Sequence, residues 1–345
     1  MQKISAYQSL VKTFQRLSRF SHLTSIASWD MFTMMPPGGS AARGEALAEM
    51  SVLQHQILTD KKVGDLLAAA AGEDLNDVEQ ANLREMTRHY QQATLLPESL
   101  VEAKSLAGSR CEHAWRTQRP ANDWQGFSAN LKEVVKLSRE EARLRAEAKG
   151  CTPYDALLDI FEPDMTSARL DVLFGDMKSW LPDLLANVVE KQAQRSFVPP
   201  QGPFPTATQR ELGLEAMKML GFDFNGGRLD VSAHPFCGGV PEDVRITTRY
   251  DEDELLSALF GVIHETGHAR YEQNLPRAWA GQPIALARST AIHESQSLFF
   301  EMQLGRSEAF LNHLLPAVHA RFGSQAAFSE ENFIAWNQRV KPGYI

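Results

Sequence analysis

Along the first two hundred positions apolar residues recur at three- and four-residue spacing, as in Leu10, Phe14 and Leu17 and again in Leu170, Phe174 and Met177. That period is the mark of helices with one face turned to a core. Trp124, Phe127, Leu131 and Val134 carry it towards a stop at Gly150, and Asn76 followed by Glu79 has the form of a capping box. The alanine run 68–71 also reads as helix. Four prolines between Phe197 and Pro205 interrupt the pattern, because they sustain neither a helix nor a central strand. One large domain over 1–345 is therefore expected, with an N-terminal helical lobe over 1–198 and a second part over 206–345. In that second part Thr208 and Glu211 form another capping-box pattern, followed by Leu212, Met217 and Leu220, with Gly221 as a stop. From Asp243 to Tyr250 the period changes to two, with Val244, Ile246, Thr248 and Tyr250 on one face, which predicts a strand. The fold class is all-α, mainly long helices, with a small β element and no internal repeat.

The chemistry lies in the next helix. Asp251 and Asp253 offer start residues, and Leu255, Leu256, Leu259, Phe260 and Ile263 give a helical period that ends before Pro276. This helix carries His264-Glu265-Thr266-Gly267-His268, a thermolysin-type (gluzincin-like) metal helix. Residues four apart share a face, so both imidazoles reach a single ion, and Glu265 beside them is placed to take a proton from a water that the metal has acidified. Two ordinary helix histidines, one solvated and one satisfied in a core, would give the same pentapeptide. Gly267 argues against that reading. It costs about 1 kcal/mol relative to Ala in a helix interior, and close approach of substrate or metal is expected to explain it.

A catalytic zinc takes three protein ligands and keeps a position open. Within 289–301 the best third candidate is Glu294, on a segment that can return antiparallel after the 25 residues that separate it from His268. His293 and Glu301 compete with it, His293 also suiting a hydrogen bond behind a ligand or a contact with substrate. Two imidazoles and a carboxylate suit zinc first, with cobalt or manganese also accommodated.

Charge and cysteine usage narrow the setting. A net charge of −8 argues against nucleic acid as partner, and no apolar stretch approaches the roughly 20 residues of a membrane span. The start of the chain lacks the apolar region of a secretion signal. Cys111, Cys151 and Cys237 are odd in number and in no metal-binding pattern, each expected as a small buried or half-buried apolar side chain in a reducing cytoplasm.

Four stretches resemble the carboxypeptidase Taq family of metallocarboxypeptidases, peptidase family M32: His234-Pro235-Phe236, Asp243-Val244-Arg245-Ile246-Thr247, the metal pentapeptide with Ala269-Arg270-Tyr271-Glu272-Gln273, and His293-Glu294-Ser295-Gln296. Trp29 to Gly39 with Arg43 is similar to the family's start. The resemblance implies His264, His268 and Glu294 as metal ligands and Glu265 as general base. It also implies His234, Phe236, Asp243 and Arg245 on the walls of the substrate groove. A mainly helical body, a small sheet beside the metal, a peptide substrate and a homodimer follow from the same source. Ion pairing of Arg245 within the protein, and a satisfied loop position for His234, are the structural alternatives.

The family continues beyond a segment like Gly343-Tyr344-Ile345 into an Ile-Arg-x-x-Ala-Asp motif and a further helical region. The expectation for this chain is therefore one bound metal with weak hydrolysis, and self-association through uncovered apolar surface. The rival readings are a zinc endopeptidase or aminopeptidase, which needs no anchor for a terminal carboxylate, and a silent metal- or peptide-binding body.

Overall fold

In a computed structural model, residues 4–343 are described; Met1 to Lys3 at the start, and Tyr344 and Ile345 of the Gly-Tyr-Ile segment, lie outside them. Two units separate by their internal contacts: residues 4–163 with Asn274–Arg288, and Asp164–Gln273 with residues 289–343.

The first unit is helical throughout, with α1 (Ala6–Thr33), α2 (Ser40–Thr59), α3 (Lys61–Ala70), α4 (Asp77–Thr94), α5 (Glu98–Gln118), α6 (Trp124–Lys149) and α7 (Pro153–Phe161). The stripe read from the sequence is a core: Leu10, Phe14 and Leu17 are buried with Tyr7 of α1, Val63, Leu67 and Ala70 of α3, and Met86 of α4. Each buried Leu, Val, Phe or Met among them contributes about 1.5–3 kcal/mol. Helix ends follow local chemistry. Asn76 and Glu79 form the expected capping box, and α6 stops at Gly150, which adopts φ +67°. Buried Asn82 ties the returning segment to this unit, donating to Tyr7 Oη (3.1 Å) and Gln282 Oε1 (3.2 Å) and accepting from the Ile284 N–H (3.3 Å). Trp29 is buried, and Arg43 pairs with Asp30 at 2.8 Å.

The second unit holds α8 (Ser167–Ala193), α9 (Thr206–Met219), β1 (Gly227–Val231), β2 (Cys237–Val240), β3 (Asp243–Thr248), α10 (Leu255–Gln273), α11 (Thr290–Leu298), α12 (Glu308–Phe322) and α13 (Glu330–Asn337). Helix α8 keeps the predicted period but buries none of its residues; Phe174 is 50% and Met177 41% exposed. The proline-rich segment is pinned by side chains. Val198 exchanges hydrogen bonds with Asn332, and Gln201 N–H donates to Gln325. The capping box expected at Thr208 and Glu211 does not form, because α9 already begins at Thr206, whose N–H donates to the Glu252 carboxylate at 2.9 Å. Gly221, at φ +78°, follows the helix as expected.

The predicted strand is β3, the centre of a three-stranded sheet of order β1-β3-β2, parallel to β1 and antiparallel to β2. Val244, Ile246 and Thr248 are buried, but so is Thr247 on the opposite face, whose hydroxyl lies 2.7 Å from Ser232 Oγ and accepts from the Phe236 N–H. Helix α10 is covered on two sides. Leu255, Leu259, Phe260 and Ile263 join a cluster with Leu212, Leu311, Leu314, Phe328 and Phe333, while Val262 and Ala269 pack with Leu229, Val244 and Ile246 of the sheet. A helix apolar nearly all round is a buried helix, and its rigidity fixes whatever it carries. Its start is capped by Glu254, which accepts from the Ser257 N–H at 2.8 Å, rather than by Asp253; Asp251 turns the chain through the Asp253 N–H.

Among the described residues no helix is long and apolar enough to cross a membrane. The three cysteines are unpaired; Cys111 is buried and Cys237 half-buried, but Cys151 is exposed just beyond α6, contrary to its expected burial.

Candidate active site

His264 and His268 project from one face of α10, and Glu294 of α11 comes to meet them. His268 Nε2 lies 3.1 Å and His264 Nε2 3.8 Å from the Glu294 carboxylate. One ligand atom from each of the three residues falls within 4.8 Å of the others. Both histidines offer Nε2 inwards because Nδ1 is engaged outside: His264 Nδ1 with Glu301 Oε2 at 3.0 Å, and His268 Nδ1 with His293 Nδ1 at 2.6 Å. His293 Nε2 continues to Glu272 Oε1 at 2.8 Å, and its ring packs on Tyr271 with centroids 4.6 Å apart. One set of tautomers satisfies every bond, with His264 donating to Glu301, His268 to His293, and His293 to Glu272. Two imidazole lone pairs and a carboxylate then converge, and this donor set fits one divalent ion.

Gly267 explains how the two helices approach. A Cβ there would stand 2.6 Å from Ser297 Cα and 2.9 Å from the Gln296 carbonyl oxygen, so only a glycine lets the backbone of α11 lie against α10. The close approach expected of substrate or metal is instead that of a neighbouring helix. Ser289 caps α11 by accepting from the Ile292 N–H, and after Leu298 the chain widens into a π-turn, Phe299–Leu304.

Glu265 is 6% exposed. Burial pushes its carboxyl up to about 7; His264 opposes this, and the carboxylates of Glu294 and Glu301 add to it. Burial, with the neighbouring His293 and His264, takes the His268 imidazole down to about 4, whereas the hydrogen bond that His264 donates to Glu301 raises that of His264. A cation among these ligands would add positive charge and favour the ionised form of Glu265.

The candidate groove residues lie on the sheet side of α10. Pro235 would meet a Cβ at Gly261, one turn before His264, at 3.8 Å. Strand β2 packs against α10, and burial, then the charges of Glu265 and Glu272, push the Cys237 thiol well above its usual range. His234 is exposed, and its carbonyl accepts from the Ser232 hydroxyl. Phe236 is half-buried. Asp243 and Arg245 form a two-pronged ion pair at 2.6 and 2.9 Å, so these two side chains bond to each other. Glu272 and Arg306 take part in the site's hydrogen bonding and were missed from sequence. Glu272 had a signal: an acid one helical turn after His268 falls on the same face.

The chain is similar to known proteins along most of its length. The profile of the family described as carboxypeptidase Taq (M32) metallopeptidase matches residues 9–345. Thermostable carboxypeptidase 1 of Thermus thermophilus is 36% identical over 99% of this chain and 69% of its own. Carboxypeptidase 1 of Bacillus subtilis is 34% identical over 96% and 66%. Among solved structures, Trypanosoma cruzi metallocarboxypeptidase 1 is similar with a TM-score of 0.89 and 48% identity, covering 99% of this chain and 69% of that one. This chain thus spans about two thirds of the length of these relatives. With most of its length matched, and with the candidate metal helix set in a mainly helical body, the chain belongs to the carboxypeptidase Taq (M32) family of metallopeptidases.

Proposed function

We propose that the chain hydrolyses peptides from the C-terminus, releasing single amino acids, with Glu265 as general base. The observation that carries this is the convergence of His264, His268 and Glu294 around a buried carboxyl in a chain of this family. Those three residues would hold one divalent ion, zinc first, with cobalt or manganese as alternatives. When bound, such an ion supplies Lewis acidity to a carbonyl and to water. Glu265 accepts a proton on its carboxylate from the attacking water and returns it to the leaving amine nitrogen. The outer bonds of His264 and His268 hold the rings with Nε2 turned inwards. An extended peptide lies along the wall formed by His234, Phe236, Asp243 and Arg245, the paired Arg245 keeping Asp243 from repelling the terminal carboxylate.

The catalytic residues all belong to the part over 206–345. The same reading carries a homodimer in a reducing cytoplasm, where three unpaired thiols are at home. A peptide blocked at its N-terminus separates the possible peptidases. Stepwise release of C-terminal residues, lost in Glu265→Gln, is the expected result. Internal fragments would assign an endopeptidase, and cleavage only after the block is removed would assign an aminopeptidase.

A further inference from the structure

We propose that Glu301 is a positioning residue for His264, and that Arg306 holds Glu301 in place to do this. The inference rests on the metal-site reading above and extends it to a group outside the three ligands.

Four observations carry it. Glu301 Oε2 lies 3.0 Å from His264 Nδ1, the nitrogen on the far side of the ring from the one that faces Glu294. An imidazole directs its two nitrogens apart, so a carboxylate on Nδ1 sets the tautomer and orientation of the ring instead of sharing the ion. The other carboxylate oxygen lies 3.4 Å from Arg306 Nη2. Arg306 is itself fixed: Nη1 donates to the Asn337 carbonyl of α13 at 2.8 Å, and the guanidinium lies over the Phe260 ring of α10, 4.1 Å from its centroid. Finally, Glu301 sits in the π-turn Phe299–Leu304, whose exit needs Gly305. A Cβ at Gly305 would stand 2.8 and 2.9 Å from the carbonyl oxygens of Phe300 and Glu301. Such wide turns carry a conformational cost and recur where a side chain must be aimed at a functional site.

The two histidines are therefore held differently. His268 bonds to a second imidazole, His293, which in turn bonds to Glu272, whereas His264 bonds to a carboxylate oxygen directly. Direct contact with a carboxylate makes the imidazole the stronger donor of the pair, so the loss of Glu301 falls on the affinity for metal.

The test is competition for Zn²⁺ between a chromophoric chelator and the parent chain, Glu301→Gln and Glu301→Ala, each shown to be folded by circular dichroism. Glu301→Gln keeps shape and an acceptor oxygen, so it remains informative where Glu301→Ala fails to fold. The parent is expected to bind one ion, Glu301→Ala about 10- to 100-fold more weakly, and Glu301→Gln in between. The visible spectrum of the Co²⁺-loaded protein is expected to shift in Glu301→Gln, which a merely structural role would not produce. Affinities within twofold of the parent in both variants, with one ion still bound, would overturn the role of Glu301 and leave the site standing. A parent chain that binds no ion would overturn the site reading and this inference together.

Discussion

Gly267 on α10 lies directly against Ser297 on α11, so close that a Cβ at 267 would stand 2.6 Å from the Ser297 Cα. This contact brings Glu294, three residues before Ser297, across to the two histidines, and it converts a helix-weakening residue into the condition for assembling the site. Gly267→Ala is expected to force α10 and α11 apart at a cost of about 1–3 kcal/mol, as overpacking of a tight contact does. Thermal unfolding and metal titration together check it: both melting temperature and metal affinity should fall. A variant that is as stable as the parent and binds metal equally well would contradict the packing role.

Glu265→Gln separates chemistry from binding. The amide keeps the size of the side chain but cannot serve as a base, so peptide hydrolysis should drop by about 10²- to 10⁴-fold, the usual contribution of a general base. Metal content should stay at one ion per chain. Loss of the ion along with activity would mean that Glu265 acts through the ligands instead.

In the first unit, Glu141 is buried between Arg145, at 2.8 Å, and Lys104, with which it also pairs. Removing the carboxylate leaves Arg145 buried without its counter-charge, so Glu141→Ala should cost about 3–5 kcal/mol. Urea unfolding measures this. A loss below 1 kcal/mol would show that solvent reaches the arginine.

His89 gives the first unit a pH dependence. Burial chiefly, and then the Arg88 charge, hold its imidazole below its ordinary value of 6.5, with Glu85 opposing. The unfolded chain therefore takes up the proton first. The neutral, half-buried ring contributes stability above the unfolded value, and this contribution is lost as pH falls below it towards the folded value. The urea midpoint should decline between pH 7 and pH 5, and the decline should be shallower in His89→Gln. Equal slopes would exclude the histidine as the source.

How much was legible in the sequence follows the range of each interaction. The helices of the first unit were readable because their signals are local: Asn76 and Glu79 cap within one turn, and Leu10, Phe14 and Leu17 repeat along one face. Strand β3 was visible because it alternates, whereas β1 and β2 were not. β2 carries two adjacent glycines, one of them at φ +86°, and a run of four residues sets no period. His264, His268 and Glu265 were legible from spacing in one helix, and Glu294 from a short list of downstream carboxylates. The reason for Gly267 was misread, since the backbone it accommodates comes from 30 residues downstream. Glu301 and Arg306 act through a π-turn, a widening that hydrophobic period does not encode. The apolar stripe of α8 shows the opposite limit: Phe174 and Met177 announce a helix but do not say whether anything covers it.

The claim on which the rest depends is that His264, His268 and Glu294 hold one divalent ion, and equilibrium titration of the metal-free chain tests it most directly. The parent should bind one Zn²⁺ per chain, and Glu294→Ala should weaken binding by more than the roughly 100-fold upper range for loss of an outer-sphere partner. Stoichiometric binding with parental affinity in Glu294→Ala would contradict it.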